Sequence, residues 1–239
     1  MHKAVIGIVV SAGLSAGCGQ ARSESGGPAT QRSYQVGGFD RIEVAGPYEV
    51  DVRTGSAASV SASGGTRDIE RVVVEVEGGI LKIHPRKRRG MSFGRGNHDT
   101  VRLTVTVPSL AGADIAGSGA VKVDKVSGER FKGEVAGSGE LRLAEVAVRQ
   151  LTIGIAGSGE FSGAGRAATA EYEIAGSGDI DAANLIAERA DVSIAGSGRV
   201  AAHATATAAV DIAGSGDVTI RGGAKCTVSK AGSGNVDCA

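Results

Sequence analysis

The second half of the chain repeats one short pattern of hydrophobic and polar positions. An Ala-Gly-Ser-Gly motif recurs every 18 to 20 residues, beginning at Ala116, Ala136, Ala156, Ala175, Ala195, Ala213 and Ala231. The residue directly before each motif is Ile115, Val135, Ile155, Ile174, Ile194, Ile212 and, as the exception, Lys230. Apolar and polar residues alternate through this stretch, and such alternation predicts a strand with one buried face.

A second strand follows each motif. Its inward positions are Val121, Leu141, Phe161, Ile180, Val200, Val218 and Val236. Two short strands, a Gly-Ser-Gly corner and a looser return such as residues 182–189 make one coil, and stacked coils pair each strand in parallel with its copies. The sequence therefore predicts an all-β fold, a right-handed parallel β-helix of about seven coils with a core of Ile and Val columns.

Glycine suits the corners of such a solenoid because a sharp turn needs positive φ and leaves no room for a Cβ against the next coil. A helical solenoid is the alternative architecture. The repeats, however, lack a 3.6-residue apolar stripe, and glycines interrupt each one twice. A β-solenoid is therefore the better interpretation of residues 111–239.

Residues 39–110 carry a different pattern of strands. The strand-like runs are 41–45, 48–53, 72–77, 80–84 and 101–107, separated by Gly, Pro47, Pro85 and Pro108. Strand runs broken in this way predict an irregular all-β lead-in region. The change of pattern near Pro108 does not require a linker, so residues 39–239 are predicted to form one domain.

The first 18 residues have the pattern of an export signal. Lys3 precedes an apolar stretch at 4–14, which is too short to span a bilayer, and small residues lead to Cys18. The run before Cys18 resembles a lipobox, although Ser15 occupies the usual leucine position and Leu14 lies one residue further out. Lipidation of Cys18 is the first interpretation, and ordinary cleavage among the small residues is the alternative. Residues 19–38 would then form a flexible tether.

The two remaining cysteines lie near the C-terminus. By register, Cys226 falls on the inward side of a first strand and Cys238 on the inward side of a second strand. A disulfide between them would clamp the last coil and would fit an exported protein. Two buried thiols or half of a metal site are the alternatives, but the pair with no nearby His offers too few ligands for zinc.

Charge and composition limit the classes of ligand that the protein is expected to bind. Gly accounts for 39 of 239 residues, and 26 basic residues balance 26 acidic ones, so no global field favours nucleic acid. The basic run from Arg86 to Arg89, continuing to Arg95, is either a contact for anionic polysaccharide or lipid headgroups or, as we favour, a solvated loop. No cofactor motif and no metal ligand set is expected.

A column of carboxylates follows the corners. Acids occupy the position after Gly-Ser-Gly at Glu140, Glu160, Asp179 and Asp217. Stacked carboxylates could hold calcium or a cationic ligand, or could act as general acid and base on a polysaccharide. Arg199 interrupts the column and is expected to pair with Asp179 or Asp217, which favours a solvated corner. We predict no catalytic residues.

The chain also resembles a known family over residues 39–239. The residues that carry the resemblance are Phe39-Asp40-Arg41-Ile42, Gly46, Val50, Gly79-Ile80-Leu81-Lys82-Ile83, Val105-Thr106-Val107-Pro108-Ser109-Leu110 and the Gly-Ser-Gly-Asp/Glu series. They resemble the bacterial envelope proteins described as "putative auto-transporter adhesin, head GIN domain", a DUF2807-type domain. The resemblance implies a β-helical fold, export, often a lipoprotein signal, and an adhesive role without catalytic residues.

Together these patterns predict an exported, non-catalytic β-solenoid of the cell envelope. A lipid anchor on Cys18 would tether the protein to a membrane. The solenoid would then face the periplasm or be exposed on the outer membrane. The ligand or envelope partner is not specified by the sequence. A structural periplasmic spacer is the first alternative, and a polysaccharide-active enzyme is the second.

Overall fold

A computed structural model describes residues 27–86 and 100–239 of the chain. It is almost entirely β-structure, with 74% strand and 2% helix. The predicted all-β solenoid is therefore confirmed. In the described residues, no helix is long and apolar enough to cross a membrane.

The strands fall into a lead-in set and a repeat set. The lead-in set is β1 (Ala29–Tyr34), β2 (Arg41–Ala45), β3 (Glu49–Thr54), β4 (Ser59–Gly65), β5 (Val72–Glu77), β6 (Ile80–Pro85) and β7 (Arg102–Val107), with the short helix α1 (Thr66–Ile69). The repeat set is β8 (Gly112–Gly117), β9 (Ala120–Val123), β10 (Val126–Gly137), β11 (Glu140–Gly157), β12 (Glu160–Gly176), β13 (Asp179–Gly196), β14 (Arg199–Gly214), β15 (Asp217–Arg221), β16 (Lys225–Gly232) and β17 (Val236–Cys238).

The repeats stack in the register that the sequence predicts. Val135 pairs with Ile155, and Ile155 pairs with Ile174, in parallel strands. Each of these side chains is at most 2% exposed. Phe131, Phe161 and Tyr172 lie in the same core, as their inward positions indicate.

The corners are tied to one another by backbone hydrogen bonds. The amide of Ser158 donates to the carbonyl oxygen of Gly137 at 2.8 Å, and the amide of Ser138 donates to that of Gly117 at 2.9 Å. Because each corner amide donates directly to a carbonyl oxygen of the adjacent coil, the two backbones are too close for a side chain to lie between them. The glycine that follows each Ala has positive φ, as at Gly157 with φ of 121°.

The number of turns differs slightly from the prediction. The solenoid has about six turns, not seven. The seven Ala-Gly-Ser-Gly corners bound only six complete turns between the first and the last. Counting corners therefore overestimates the turns by one.

The lead-in region is less irregular than its sequence suggests. Strands β2 and β3 form a rung that pairs in parallel with β8 and β9 on one side, and with β6 and β7 on the other. Gly46, with φ of 117°, stands beside Gly117 at the corner of this rung. The lead-in thus extends the solenoid, but the rungs are stacked out of chain order.

Antiparallel strands cover the N-terminal end of the stack. Strand β4 pairs with β7, strand β5 pairs with β6, and β1 pairs with the outer edge of β4. Residues 29–34 were assigned by sequence to the flexible tether of residues 19–38, but they form β1. Their Thr, Arg and Tyr side chains suit an exposed edge strand, and the pairing with β4 orders them.

The C-terminal end is left without a covering layer. Val228 on β16 is 47% exposed, because no further coil packs over it. Lys230 occupies the column of Ile212, and its Nζ donates to the carbonyl oxygen of Gly234 at 2.7 Å. A lysine in a core column hinders the addition of another strand. This accounts for the single exception to the Ile and Val column.

Replacement of Tyr172 by Phe is expected to stabilise the protein. The Tyr172 hydroxyl is buried without a hydrogen-bond partner among the described residues, and burial raises the pKa of the phenol well above its usual range. Leaving a buried polar group unpaired costs about 1–3 kcal/mol. We expect Tyr172→Phe to raise the unfolding free energy by about 1 kcal/mol, measured by urea denaturation. A loss of stability would instead reveal a partner for the hydroxyl, such as a buried water.

Candidate functional site

The corner carboxylates fall in one register column along the solenoid. In register order, the residues are Arg102, Glu49, Ala120, Glu140, Glu160, Asp179, Arg199 and Asp217, followed by Asn235. Arg102 and Glu49 were not assigned to this column from the sequence. They join it because the lead-in rungs continue the stack.

Arginines neutralise three carboxylates of this column. The guanidinium of Arg199 donates to the two oxygens of Asp179 at 2.9 and 3.0 Å. This hydrogen bond is the main reason that the pKa of Asp179 lies below its usual range. Arg142 lies 2.6 Å from Glu140, and Arg102 lies 2.6 Å from Glu49. The expected pairing of Arg199 with Asp179 is therefore confirmed.

The other two predicted acids have different surroundings. Asp217 accepts a hydrogen bond from the backbone amide of Asn235 at 3.0 Å. Glu160 lines an open recess of about 310 Å³ with Asp179, Asp181 and Asp217, across which Arg199 also extends. Within residues 27–86 and 100–239, no group of three or more His, Cys, Asp or Glu residues is placed to hold a metal ion. The main side-chain contacts of this column are ion pairs between arginine and carboxylate groups.

The C-terminal cysteines form the predicted disulfide. The sulfur atoms of Cys226 and Cys238 are bonded. Their strands pair with Ala208 and Ile220, which lie in the core columns of the preceding coil. The disulfide therefore links the two strands of the last described coil, β16 and β17. Cys226 is partly buried, whereas Cys238 is exposed.

Two predicted features lie outside the described residues. These are Cys18 with the export signal, and the basic run from residue 87 onward. Of that run only Arg86 is described, and its backbone amide donates to the carbonyl oxygen of Arg71 at 2.7 Å. Lipidation of Cys18 and a role for the basic run remain predictions.

The return side of the coils carries a second charged surface that the sequence did not indicate. Arg130, Gln150, Thr169 and Arg189 fall in one register column across four coils. Arg149 lies in the neighbouring column, next to Ala168 of the following coil. These residues and Glu129 line an open recess of about 430 Å³. We call this recess, together with the adjacent recess described in the next paragraph, the arginine trough.

The second recess continues the first along the same side. It has a volume of about 530 Å³ and shares Arg149 and Ala168 with the first recess. Arg166 and Glu188 contribute its charged groups. The trough therefore contains four arginines and two glutamates, namely Arg130, Arg149, Arg166, Arg189, Glu129 and Glu188.

Small residues in one coil create the trough. The return of β12 has short side chains at Ala167 and Ala168, whereas the coils on either side carry Arg149 and Glu188. Since strand pairing fixes the coils about 4.8 Å apart, a coil with short side chains leaves a depression between its neighbours. The arginines of the trough are dispersed along the sequence, and only the strand register brings them together.

Comparison with known proteins agrees with the observed fold. A putative adhesin from Bacteroides fragilis superposes with a TM-score of 0.81 at 22% identity, covering 89% of this chain and 97% of that chain. A putative adhesin from Parabacteroides distasonis gives a TM-score of 0.70 at 19% identity, covering 90% and 98%. A protein of the same species named as a putative lipid binding protein gives 0.68 at 24% identity, covering 89% and 97%.

These similarities show the fold, whereas the family is shown by sequence. No curated protein matches the chain. The family model described as "Putative auto-transporter adhesin, head GIN domain" matches residues 38–224, which include the lead-in rungs and all coils up to the last. The chain therefore belongs to this DUF2807 family of adhesin head domains.

Proposed function

We propose that the protein is a non-catalytic binding module of the bacterial cell envelope, held at a membrane by lipid on Cys18. The observation that carries the proposal is the continuous strand pairing from β6 to the last coil, which fixes surface side chains in columns. A rigid lattice of this kind presents a binding surface along its sides. The adhesin-head family supports the same role.

The chemistry of the described surface also favours binding over catalysis. Three of the corner carboxylates, Glu49, Glu140 and Asp179, are engaged by arginines at 2.6 to 3.0 Å. Asp217 accepts a backbone amide hydrogen bond instead. The contact between His84 Nε2 and Glu75 Oε1 at 3.1 Å lies on an exposed hairpin, away from any recess described above. Neither arrangement combines a nucleophile, a base and an oxyanion site.

The Cys226–Cys238 disulfide supports an oxidising location. Disulfides persist mainly in exported proteins, where cytosolic reductants do not reach them. Together with the signal-like N-terminus, this favours export to the envelope. Lipid on Cys18 and the segment after it would then hold the solenoid at the membrane.

Binding of acyl chains is not favoured, although one structural relative is named as a lipid binding protein. Among the described residues, Val228 is the exposed large hydrophobic side chain, and it lies at the end of the stack. The apolar side chains of the described coils are buried against one another in one core. The sides of the solenoid carry polar and charged groups, which are better suited to bind a polar ligand.

Processing of the N-terminus tests the proposed tether. In the native host, the mature protein should begin at a lipid-modified Cys18 and should fractionate with membranes, as read by intact mass spectrometry. Cys18→Ser should remove the modification and the membrane association. Cys226→Ser combined with Cys238→Ser is the comparison variant, because it removes both disulfide cysteines without leaving a free thiol there and keeps the signal and Cys18 intact. An unmodified mature N-terminus at another position would refute the anchor.

A further inference from the structure

We propose that the arginine trough binds an acidic polysaccharide through the carboxylate groups of its sugars. The inference rests on the proposed binding function and names its ligand class. It assigns the ligand to the return side of the solenoid and not to the corner carboxylate column. The argument depends on the charge, shape and backbone pairing of the trough.

The guanidinium groups of the trough are available to an anion. In the described part of the chain, no carboxylate lies within ion-pair distance of Arg130, Arg166 or Arg189. Arg149 contacts Glu129 at 3.6 Å, but the two side chains are 77% and 81% exposed, so this ion pair is weak. Arginine presents planar forks of N–H donors that match carboxylates, and these groups retain that capacity.

The spacing of the groups favours an extended ligand. Arg130 and Arg189 lie in one column three coils apart, about 14 Å along the solenoid axis. Between them stand the amide of Gln150, which can both donate and accept hydrogen bonds, and the hydroxyl of Thr169. This hydroxyl donates to the carbonyl oxygen of Arg149 at 3.4 Å and can accept a hydrogen bond from a ligand. A chain with anions spaced along it and hydroxyls between them matches this order. An acidic polysaccharide has this chemistry.

Other extended ligands fit the trough less well. A peptide that adds as a strand needs an open backbone edge, but β11, β12 and β13, which carry Arg149, Arg166 and Arg189, are paired with neighbours on both sides. In the described residues, the 126–130 part of β10 pairs on one side only, so an added strand would lie at the end of the trough and not along it. A membrane would contact a flat or protruding surface, whereas the trough is recessed by the short side chains of Ala167 and Ala168. A polysaccharide can lie in the recess without either requirement.

Direct binding measurements test the proposal. The full mature protein should bind oligogalacturonate, a carboxylated probe, and should not bind neutral dextran oligosaccharides of equal length, as measured by calorimetry. Arg130→Gln combined with Arg149→Gln and Arg189→Gln should weaken binding at least a hundredfold. Replacing the same three residues with Lys should restore only part of the loss, since lysine keeps the charge but not the fork.

A matched control separates the trough from general charge. Arg53→Gln combined with Arg67→Gln and Lys122→Gln removes the same charge from exposed positions elsewhere, and it should leave binding within about twofold of the unmodified protein. Thermal melts of both triple variants should match the parent, because the replaced side chains are exposed. Equal weakening by both triple variants would overturn the proposed site.

The remaining outcomes also decide between ligand sources. Absence of binding to oligogalacturonate by the folded protein would overturn the proposal. Binding to phosphatidylglycerol vesicles that is lost in the trough variant, without binding to oligogalacturonate, would assign the arginines to a lipid surface and overturn it as well. Because lipidation of Cys18 is measured separately, a failure of the tether is distinguishable from a failure of the trough.

Discussion

Gly157→Ala is expected to lower the free energy of unfolding by about 3 to 5 kcal/mol, the sum of backbone strain and steric overlap. Gly157 has φ of 121°, which side chains with a Cβ rarely adopt. A Cβ at this position would lie 2.6 Å from the carbonyl oxygen of Gly137 in the adjacent coil. That carbonyl accepts the Ser158 amide, so it cannot move away without breaking the hydrogen bond between corners.

Gly154→Ala is the matched control for this prediction. Gly154 lies three residues earlier in the same strand, and a Cβ there would approach only the Glu134 side chain, at 4.0 Å. We expect this change to be neutral or to stabilise by up to about 1 kcal/mol. Urea denaturation of the two variants measures both effects. Equal stability would show that the corners tolerate a side chain and that glycine is not required there.

Removal of the disulfide should destabilise the last coil by about 3 kcal/mol, the chain-entropy estimate for a loop of this length. The separation of the two cysteines is 12 residues. Within the part of the chain that the structure describes, β16 pairs only with β14 and β17 only with β15, so the bridge adds a constraint that strand pairing does not supply. In Cys226→Ser combined with Cys238→Ser, amide protection across residues 225–239 should fall about a hundredfold, measured by hydrogen exchange.

The same experiment contains an internal reference. Protection in β12, which is paired on both sides, should stay unchanged, because coils of a solenoid contact only their neighbours. A uniform fall in protection along the chain would contradict a local clamp. It would indicate that the stack unfolds as one cooperative unit and that the disulfide stabilises all of it.

The repeat architecture could be predicted because its signal is local and redundant. Each coil places apolar residues at the same two columns, and one misread copy is corrected by the others. The corner column and the Arg199 to Asp179 contact follow from the same register. The position of Cys226 and Cys238 in inward columns predicted their disulfide in the same way.

The stacking order of the lead-in could not be predicted from such a pattern. Alternation at 41–45 and 80–84 indicates strands, but it does not say which strand lies beside which. The partners of β2 are 39 and 71 residues away, as Arg41 pairs with Ile80 and Gly112. Nothing in the local sequence encodes these distances.

The arginine trough was missed for a different reason. Its arginines are dispersed along the chain, and the return segments vary in length and contain register shifts, such as that between Ser162 and Ala164. Their alignment becomes visible only when the paired strands on either side are fixed. The shape of the trough also depends on the short side chains of one coil. These small residues form no recognisable motif in the sequence.

The inverted stacking of the lead-in has a consequence for the order of assembly. Ribosomes synthesise β2 and β3 first, yet both edges of this rung are paired by segments made later. A nascent chain that ends before residue 112 leaves one edge of the rung without a partner. The N-terminal part of the molecule therefore completes its structure only when the first repeats are present, and the repeats supply the template on which it closes.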